Sequence, residues 1–89
     1  MKTDIIIINP ADNAGVAIRE IPEGAKAVLP DGTSLTALDA IPYGHKIALC
    51  DIKKGEDVIK YGHGIGKAKN DLKKGEWIHI HNMIILEEE

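Results

Sequence analysis

Three of the four histidines fall in two short segments whose residues could take part in chemistry. The segment GEWIHIHNM carries His79 and His81, and the segment GHK carries His45 beside Lys46. A histidine titrates near neutral pH, so it can act as an acid, a base or a metal ligand. A lysine can bind a substrate carboxylate as a compact cation. Both segments are therefore candidates for a functional site.

The spacing of His79 and His81 predicts two imidazoles on one face of a strand, because successive side chains of a strand alternate between faces. Two imidazoles so placed can reach one metal ion at about 2.1 Å per bond. A protein site normally needs at least one more ligand, and His63, Asp12 or Asp39 could supply it if the fold converges. The alternative is that the two rings form the polar face of a strand and bind no ion. The sequence leaves both interpretations open.

His45 and Lys46 are the candidate catalytic residues. They follow a Pro-Tyr-Gly turn, so we expect them at the edge of a loop that a substrate or another protein surface can approach. In the alternative interpretation Lys46 is only solvated, and His45 caps the turn with a hydrogen bond. Spacing alone does not decide between these two roles.

Three further polar residues are candidates for substrate binding, namely Asp12, Asn13 and Asn82. Asp12 and Asn13 could equally close an Asx turn with their side chains. Asn82 could hold a histidine ring in one tautomer instead of contacting substrate. The stretch GHGIG at residues 62–66 lacks the strand–loop–helix context and the Lys-Ser/Thr of a phosphate-binding loop. Its glycines are better explained by the shape of a strand crossover.

A short pattern recurs four times and indicates how these residues are positioned. EIPEG, AIPYG, DIKKG and DLKKG each place an aliphatic residue before two variable residues and a glycine. Glycine adopts positive φ at no steric cost, so the pattern predicts four tight turns, with the aliphatic residue in the core and a strand restarting after the glycine. The predicted strands lie at residues 4–8, 16–18, 25–28, 46–50, 57–60, 65–69 and 77–81.

Residues 33–40 are expected to form one helical turn, with Thr33 or Ser34 as its cap. No segment keeps a helical period over three turns. Several short strands separated by glycine turns predict an all-β fold, a compact barrel or clip with at most one or two short helical turns.

Length and charge exclude several classes of protein. A chain of 89 residues forms one small domain, expected at residues 1–86, with a solvated end at 87–89. The net charge of −3 with mixed signs argues against a nucleic-acid surface, which needs a basic stripe. No apolar stretch approaches a membrane span, and the run of Ile near the N-terminus is too short for a secretory signal. We therefore expect a cytoplasmic protein that contacts neither nucleic acid nor membrane.

The single cysteine, Cys50, excludes an intramolecular disulfide and fits a reducing compartment. It follows Leu49 in an apolar run, so we expect a buried structural thiol and not a nucleophile.

Four segments occur in an order that resembles a known family. They are NPADNAGVAI at 9–18, IPYGHKIALCDI at 41–52, VIKYGHGIGKA at 58–68 and GEWIHIHNM at 75–83. Together they resemble the N-terminal SAF-type domain of the altronate/galactarate dehydratase family. The shared motifs are Asp-Asn-x-x-Val-Ala, Gly-His-Lys-x-Ala-Leu, Tyr-Gly-x-x-Ile-Gly and His-x-His-Asn. The resemblance covers nearly the whole chain.

This resemblance implies a β-clip fold and dependence of the assembled enzyme on a divalent metal, Fe²⁺ or Mn²⁺. Fused enzymes of the family would continue into a much larger catalytic region, so a short free-standing chain resembles the small subunit of a split lyase that acts on a sugar acid or sulfolactate. The implied partners are a large catalytic subunit and a small hydroxy acid. The implied reaction is a β-elimination of water or sulfite, for which this chain would be a non-autonomous subunit of a hydro-lyase or a carbon–sulfur lyase.

Two other functions stay open. SAF-type domains also occur as free-standing modules that bind a ligand or a partner without catalysis. A third possibility is a structural assembly subunit whose histidines never contact substrate. The small core leaves a homo-oligomer open as well, since association would add stability.

Overall fold

The computed structural model describes residues 3–85, which form nine β-strands and no helix, and so none long and apolar enough to cross a membrane. The predicted all-β class is confirmed. The predicted end at 87–89 and the boundary at residue 86 lie outside the described residues. The strands are β1 (Ile5–Ile6), β2 (Ala14–Ala17), β3 (Lys26–Val28), β4 (Ser34–Thr36), β5 (Lys46–Ala48), β6 (Asp57–Lys60), β7 (His63–Ala68), β8 (Trp77–Ile78) and β9 (Met83–Ile85).

These short strands form three small antiparallel sheets. The sheet that carries the candidate site has the order β1-β2-β5-β8, so β5 lies between β2 and β8. The other two sheets have the orders β3-β4 and β6-β7-β9. Because β5 and β8 are far apart in sequence, only the tertiary fold brings their side chains together.

The four repeated motifs form the predicted tight turns. The glycine of each has positive φ, with values of 84° at Gly24, 83° at Gly44, 86° at Gly55 and 93° at Gly75. In each turn the N–H after the glycine donates to the carbonyl three residues earlier, as in a type II turn. The aliphatic residues before the turns are buried, and they pair across two isolated bridges, Ile21 with Ile41 and Ile52 with Leu72.

The two bridges lie in two separate hydrophobic clusters. The Ile21–Ile41 bridge belongs to one cluster and the Ile52–Leu72 bridge to the other. Strands β2 and β5 contribute side chains to both clusters, and β8 supplies Ile78 to the second while Trp77 packs against the first. The sheet that carries the site therefore packs against both clusters.

The helical turn predicted at residues 33–40 is wrong, because this segment contains strand β4. Leu35 and Ala37 are buried while the residues on either side of Leu35 are exposed, a period of two that belongs to a strand. The register with β3 places Leu35 opposite Ala27, so burial of an alternating face outweighs the weak local preference for a helix. Strand β9, at the end of the described residues, was not predicted.

The prediction of a buried Cys50 is also wrong, because its side chain is exposed. Strand β5 ends at Ala48, and the chain bends at the next two residues. The bend carries Cys50 to the surface although its neighbours in sequence are apolar.

Candidate functional site

Pairing of β5 with β8 brings His45 to His79. Lys46 lies opposite Ile78 and Ile47 opposite Trp77, so continuing this antiparallel register places His45 opposite His79. The centroids of their rings are 5.0 Å apart. Two histidines separated along the chain thus become cross-strand neighbours at one end of the sheet.

Trp77 lies at the centre of the three imidazoles. His79 stacks on the indole with centroids 5.4 Å apart and an interplanar angle of 8°. His81 and His45 approach it at tilted angles, with centroid distances of 5.0 Å and 5.7 Å. His81 is exposed, and the other three residues are half-buried. We call His45, Trp77, His79 and His81 the ring cluster.

A hydrogen bond joins two members of the ring cluster. The indole Nε1–H of Trp77 donates to Nδ1 of His45 over 3.2 Å. Since an indole nitrogen is a donor only, Nδ1 of His45 must offer its lone pair here. The other ring nitrogen of His45, Nε2, is left free of the indole.

The strand predicted at residues 77–81 ends at Ile78, and the chain turns at 79–82. Alternation along a strand therefore does not explain why His79 and His81 both reach Trp77. Asn82 explains it, because this residue is only 2% exposed and its side chain closes the turn. Its Nδ2 donates to the carbonyl of Trp77 over 2.7 Å, and its Oδ1 accepts from the N–H of His79 over 2.9 Å.

The predicted role of Asn82 in substrate binding remains a prediction. Its amide bonds to backbone groups on both sides of the turn, so it positions the backbone that carries His79 and His81. No hydrogen bond from Asn82 to an imidazole ring is found among residues 3–85. The hydrogen bond to a histidine ring that was expected from Asn82 comes instead from the indole of Trp77.

Lys46 lies beside the ring cluster but leaves β5 on the other face, since successive side chains of a strand alternate. It is half-buried, and its burial together with the charge of Lys60 lowers the pKa of Lys46 below its ordinary value. The ion pairs found among residues 3–85 are Arg19–Asp4 and Lys67–Asp57, and neither includes Lys46 or Lys60. The two cations, which we call the lysine pair, thus have no carboxylate counter-ion in the part of the chain described.

Lys46 also contributes to the electrostatic environment of the ring cluster. The pKa of His79 lies below its ordinary value, first because of partial burial and then because of the charges of His45, Lys46 and His81. In a chain with a net charge of −3, Lys46 and Lys60 therefore form a local concentration of positive charge. Such a concentration favours an anionic ligand, whose charge would relieve the repulsion.

Sequence reasoning did not identify Trp77 or Lys60 as members of the site. Trp77 is the only tryptophan, which is a weak signal for a special role. Lys60 precedes a Tyr-Gly hairpin turn and carries no local pattern that distinguishes it from the other lysines. Only the fold brings it near Lys46.

Asp12 and Asn13 join the loop before β2 to the β6–β7 hairpin. The Asp12 carboxylate accepts from the N–H of Gly62 over 2.7 Å and from the N–H of Asn9 over 3.1 Å. Burial raises the pKa of Asp12, but the backbone hydrogen bonds outweigh it and hold the pKa below its ordinary value. Asn13 accepts from the N–H of Ile59 over 2.7 Å and donates to a β6 carbonyl. Their role in substrate binding remains a prediction.

No group of three or more His, Cys, Asp or Glu is placed to hold a metal ion within residues 3–85. Of the three candidate additional ligands, Asp39 accepts a hydrogen bond from the backbone N–H of Trp77 over 3.0 Å, Asp12 is bonded to Gly62, and His63 is exposed at the start of β7. The residues therefore do not fit a self-contained metal centre. Metal binding by His79 and His81 remains a prediction, for which further ligands would have to come from another chain.

Comparison with known proteins identifies clear relatives. Residues 3–85 match the family described as the altronate/galactarate dehydratase SAF domain. The chain is 43% identical over 77 residues to altronate dehydratase of Bacillus subtilis (strain 168), which covers 86% of this chain and 15% of that protein. It is 35% identical over 83 residues to galactarate dehydratase (L-threo-forming) of Escherichia coli (strain K12), covering 93% of this chain and again 15% of the relative.

A third relative has nearly the length of this chain. Identity to the (2R)-sulfolactate sulfo-lyase subunit alpha of Chromohalobacter salexigens is 34% over 89 residues, covering 93% of this chain and 95% of the relative. The chain therefore spans a small part of the two dehydratases and almost all of a protein that is named as one subunit of an enzyme.

Proposed function

The chain belongs to the altronate/galactarate dehydratase SAF domain family, and from this premise we propose that it is the small subunit of a two-subunit lyase. The proposed reaction is a β-elimination of water or sulfite from a hydroxy acid. The end-to-end similarity to a sulfo-lyase subunit alpha supports the subunit assignment, since the name of that relative implies a second subunit. A large catalytic subunit is the proposed partner, and a cytoplasmic enzyme fits this metabolic family.

The observation that carries the proposal is the positive charge of Lys46 and Lys60, which form no ion pair with a carboxylate among residues 3–85. Elimination beside a carboxylate requires that the carboxylate is held and that charge developing on the substrate is stabilised. Lys46, supported by Lys60, is the proposed carboxylate-binding residue, and since it leaves β5 on the face opposite the ring cluster, the substrate would have to reach around the end of the β5–β8 pair to contact both. His45 is the proposed catalytic partner, which meets the substrate through Nε2, the ring nitrogen that does not bind the indole.

The site lies at the surface, which favours completion by a second subunit. Two large apolar side chains next to it in sequence are exposed, Tyr43 at 72% and Ile80 at 57%. Apolar side chains that flank a polar site are typical of a surface that a partner covers. The large subunit is therefore proposed to dock around the ring cluster and to exclude water from it.

A divalent metal, Fe²⁺ or Mn²⁺, is proposed for the assembled enzyme, where it would supply Lewis-acid stabilisation of the enolate-like charge when bound. Because residues 3–85 do not assemble a complete ligand set, most ligands are proposed to belong to the large subunit. His79 and His81 could add at most two imidazoles at the edge of that site.

The test combines the chain with its large subunit, purified together, and assays elimination from altronate, galactarate and sulfolactate with Fe²⁺ or Mn²⁺. We expect His45→Ala to lower kcat about 100-fold or more, the scale for a lost hydrogen-bond donor or proton-transfer group at the reacting atoms. Lys46→Ala should mainly raise KM, because it removes a contact to the substrate carboxylate. Lys26→Ala is the matched control, since Lys26 is an exposed strand lysine that forms no ion pair in the described chain.

Full activity of both site variants would refute a direct role of His45 and Lys46 in the reaction. The remaining hypothesis would then be a structural assembly subunit. A second candidate function, a module that binds an anion without catalysis, is favoured by the same positive charge. It predicts that the chain purifies without a stoichiometric partner, and that malonate binding to the isolated chain is weakened by Lys46→Ala.

A further inference from the structure

The indole of Trp77 is itself held in place from several sides. Its backbone N–H donates to Oδ2 of Asp39 over 3.0 Å, and its carbonyl accepts from Nδ2 of Asn82 over 2.7 Å. Its side chain packs against the first hydrophobic cluster, and its ring stacks with His79. These contacts fix the position of the indole, so the fold determines the direction of its Nε1–H.

This N–H contacts only one of the two nitrogens of His45. A neutral imidazole carries one proton, so an acceptor at Nδ1 requires the proton at Nε2. Turning the ring over would place a carbon, and not a nitrogen, opposite the indole N–H and would lose the hydrogen bond. The contact of 3.2 Å thus selects both the orientation and the tautomer of the ring.

We propose that Trp77 is a positioning residue that holds neutral His45 as its Nε2–H tautomer, so that the site presents a hydrogen-bond donor to its ligand. The relevance of this donor to elimination rests on the proposed function. In that reaction, a neutral Nε2–H would stabilise negative charge that develops on a substrate oxygen and would not remove the α-proton. Removal of the α-proton must then belong to another group.

The test is an NMR measurement on the full chain labelled with ¹⁵N. Long-range ¹H–¹⁵N correlation spectra assign the tautomer of His45, and scalar coupling across the N–H···N bond joins Nε1 of Trp77 to Nδ1 of His45. The expected result is an Nε2–H tautomer with a measurable coupling in the wild type. A His45 ring that carries its proton on Nδ1, or the absence of that coupling, would overturn the proposal without any variant being needed.

Trp77→Phe keeps an aromatic ring and removes the N–H. The ratio of Nε2–H to Nδ1–H in His45 should then fall about fivefold, the scale of one net hydrogen bond. His79→Ala is the control, because it removes a ring whose centroid is 5.0 Å from that of His45 but leaves the indole N–H in place. Its His45 tautomer ratio should match the wild type.

An equal change in both variants would mean that packing and not the hydrogen bond sets the tautomer, which would refute the inference. The two hypotheses fail separately. A His45→Ala variant that keeps full lyase activity in the assembled enzyme would refute the proposed function and leave the tautomer assignment intact. A wrong tautomer would refute the role of Trp77 and leave the subunit assignment untouched.

Discussion

Replacing Asn82 with alanine should damage both the stability of the domain and the geometry of the ring cluster. The side chain of Asn82 is almost fully buried and joins two backbone groups, the carbonyl of Trp77 and the N–H of His79. Alanine can replace neither bond, so both groups lose their partners in a site that is only partly open to water. Because this turn carries two of the three rings around Trp77, it should loosen as well.

The expected magnitude follows from the two lost hydrogen bonds. A buried backbone group without a partner costs about 1–3 kcal/mol. Since Trp77 and His79 are half-buried, water can reach part of this region, and the lower half of that range applies to each group. The free energy of unfolding should fall by about 2–4 kcal/mol, which corresponds to a decrease in Tm of about 8–30 °C for a domain of this size.

Urea unfolding followed by Trp77 fluorescence and by circular dichroism measures this loss, with Asn70→Ala as the matched control. Asn70 is exposed, and no hydrogen bond of its side chain is found within residues 3–85, so the same substitution there should change the free energy of unfolding by less than about 0.5 kcal/mol. If Asn82→Ala were no more destabilising than Asn70→Ala, the turn would not depend on this amide. The account of how His79 and His81 reach Trp77 would then be wrong.

Three further predictions concern the turns and the charged groups. Gly75→Ala should lower the free energy of unfolding by at least about 3 kcal/mol, because a Cβ would overlap a carbonyl oxygen of β4 and the φ of 93° is unfavourable. Gly55→Ala, with a φ of 86° and open space around the glycine, should lower it by about 1–2 kcal/mol. Equal losses in urea unfolding would contradict this. The pKa of Asp12 is below 3.8 in the fold, so the stability that its carboxylate contributes is complete above pH 3.8 and is lost as the pH falls through the folded pKa. Asp12→Asn should therefore flatten the acid limb of the plot of stability against pH. An unchanged limb would mean that Asp12 does not contribute to the loss of stability in acid. The pKa of His79, followed by NMR titration, should rise in Lys46→Ala, because the charge of Lys46 helps to lower it, and an unchanged titration would mean that the two groups do not interact.

Features that depend on a few consecutive residues were predictable from the sequence. Each repeated motif ends in a glycine with positive φ, and the conformational freedom of glycine is a local property that needs no tertiary information. The residue types of His45, His79 and His81 likewise identified where chemistry could occur. The segment at 33–40 failed because its local preference was weak and burial of Leu35 and Ala37 decided its conformation.

The sequence by itself determined the all-β class, the four tight turns, the buried aliphatic residue before each turn and the family of the chain. Each of these follows from local backbone preference, from alternation of apolar residues or from ordered motifs. Only the tertiary structure decided which side chains meet, because contacts such as His45 with Trp77, or Lys46 near Lys60, depend on the register between strands distant in the chain. The exposure of Cys50 and the turn closed by Asn82 were likewise decided by the tertiary structure. A strand ends where pairing and burial no longer favour it, and neither condition can be read from the neighbouring residues.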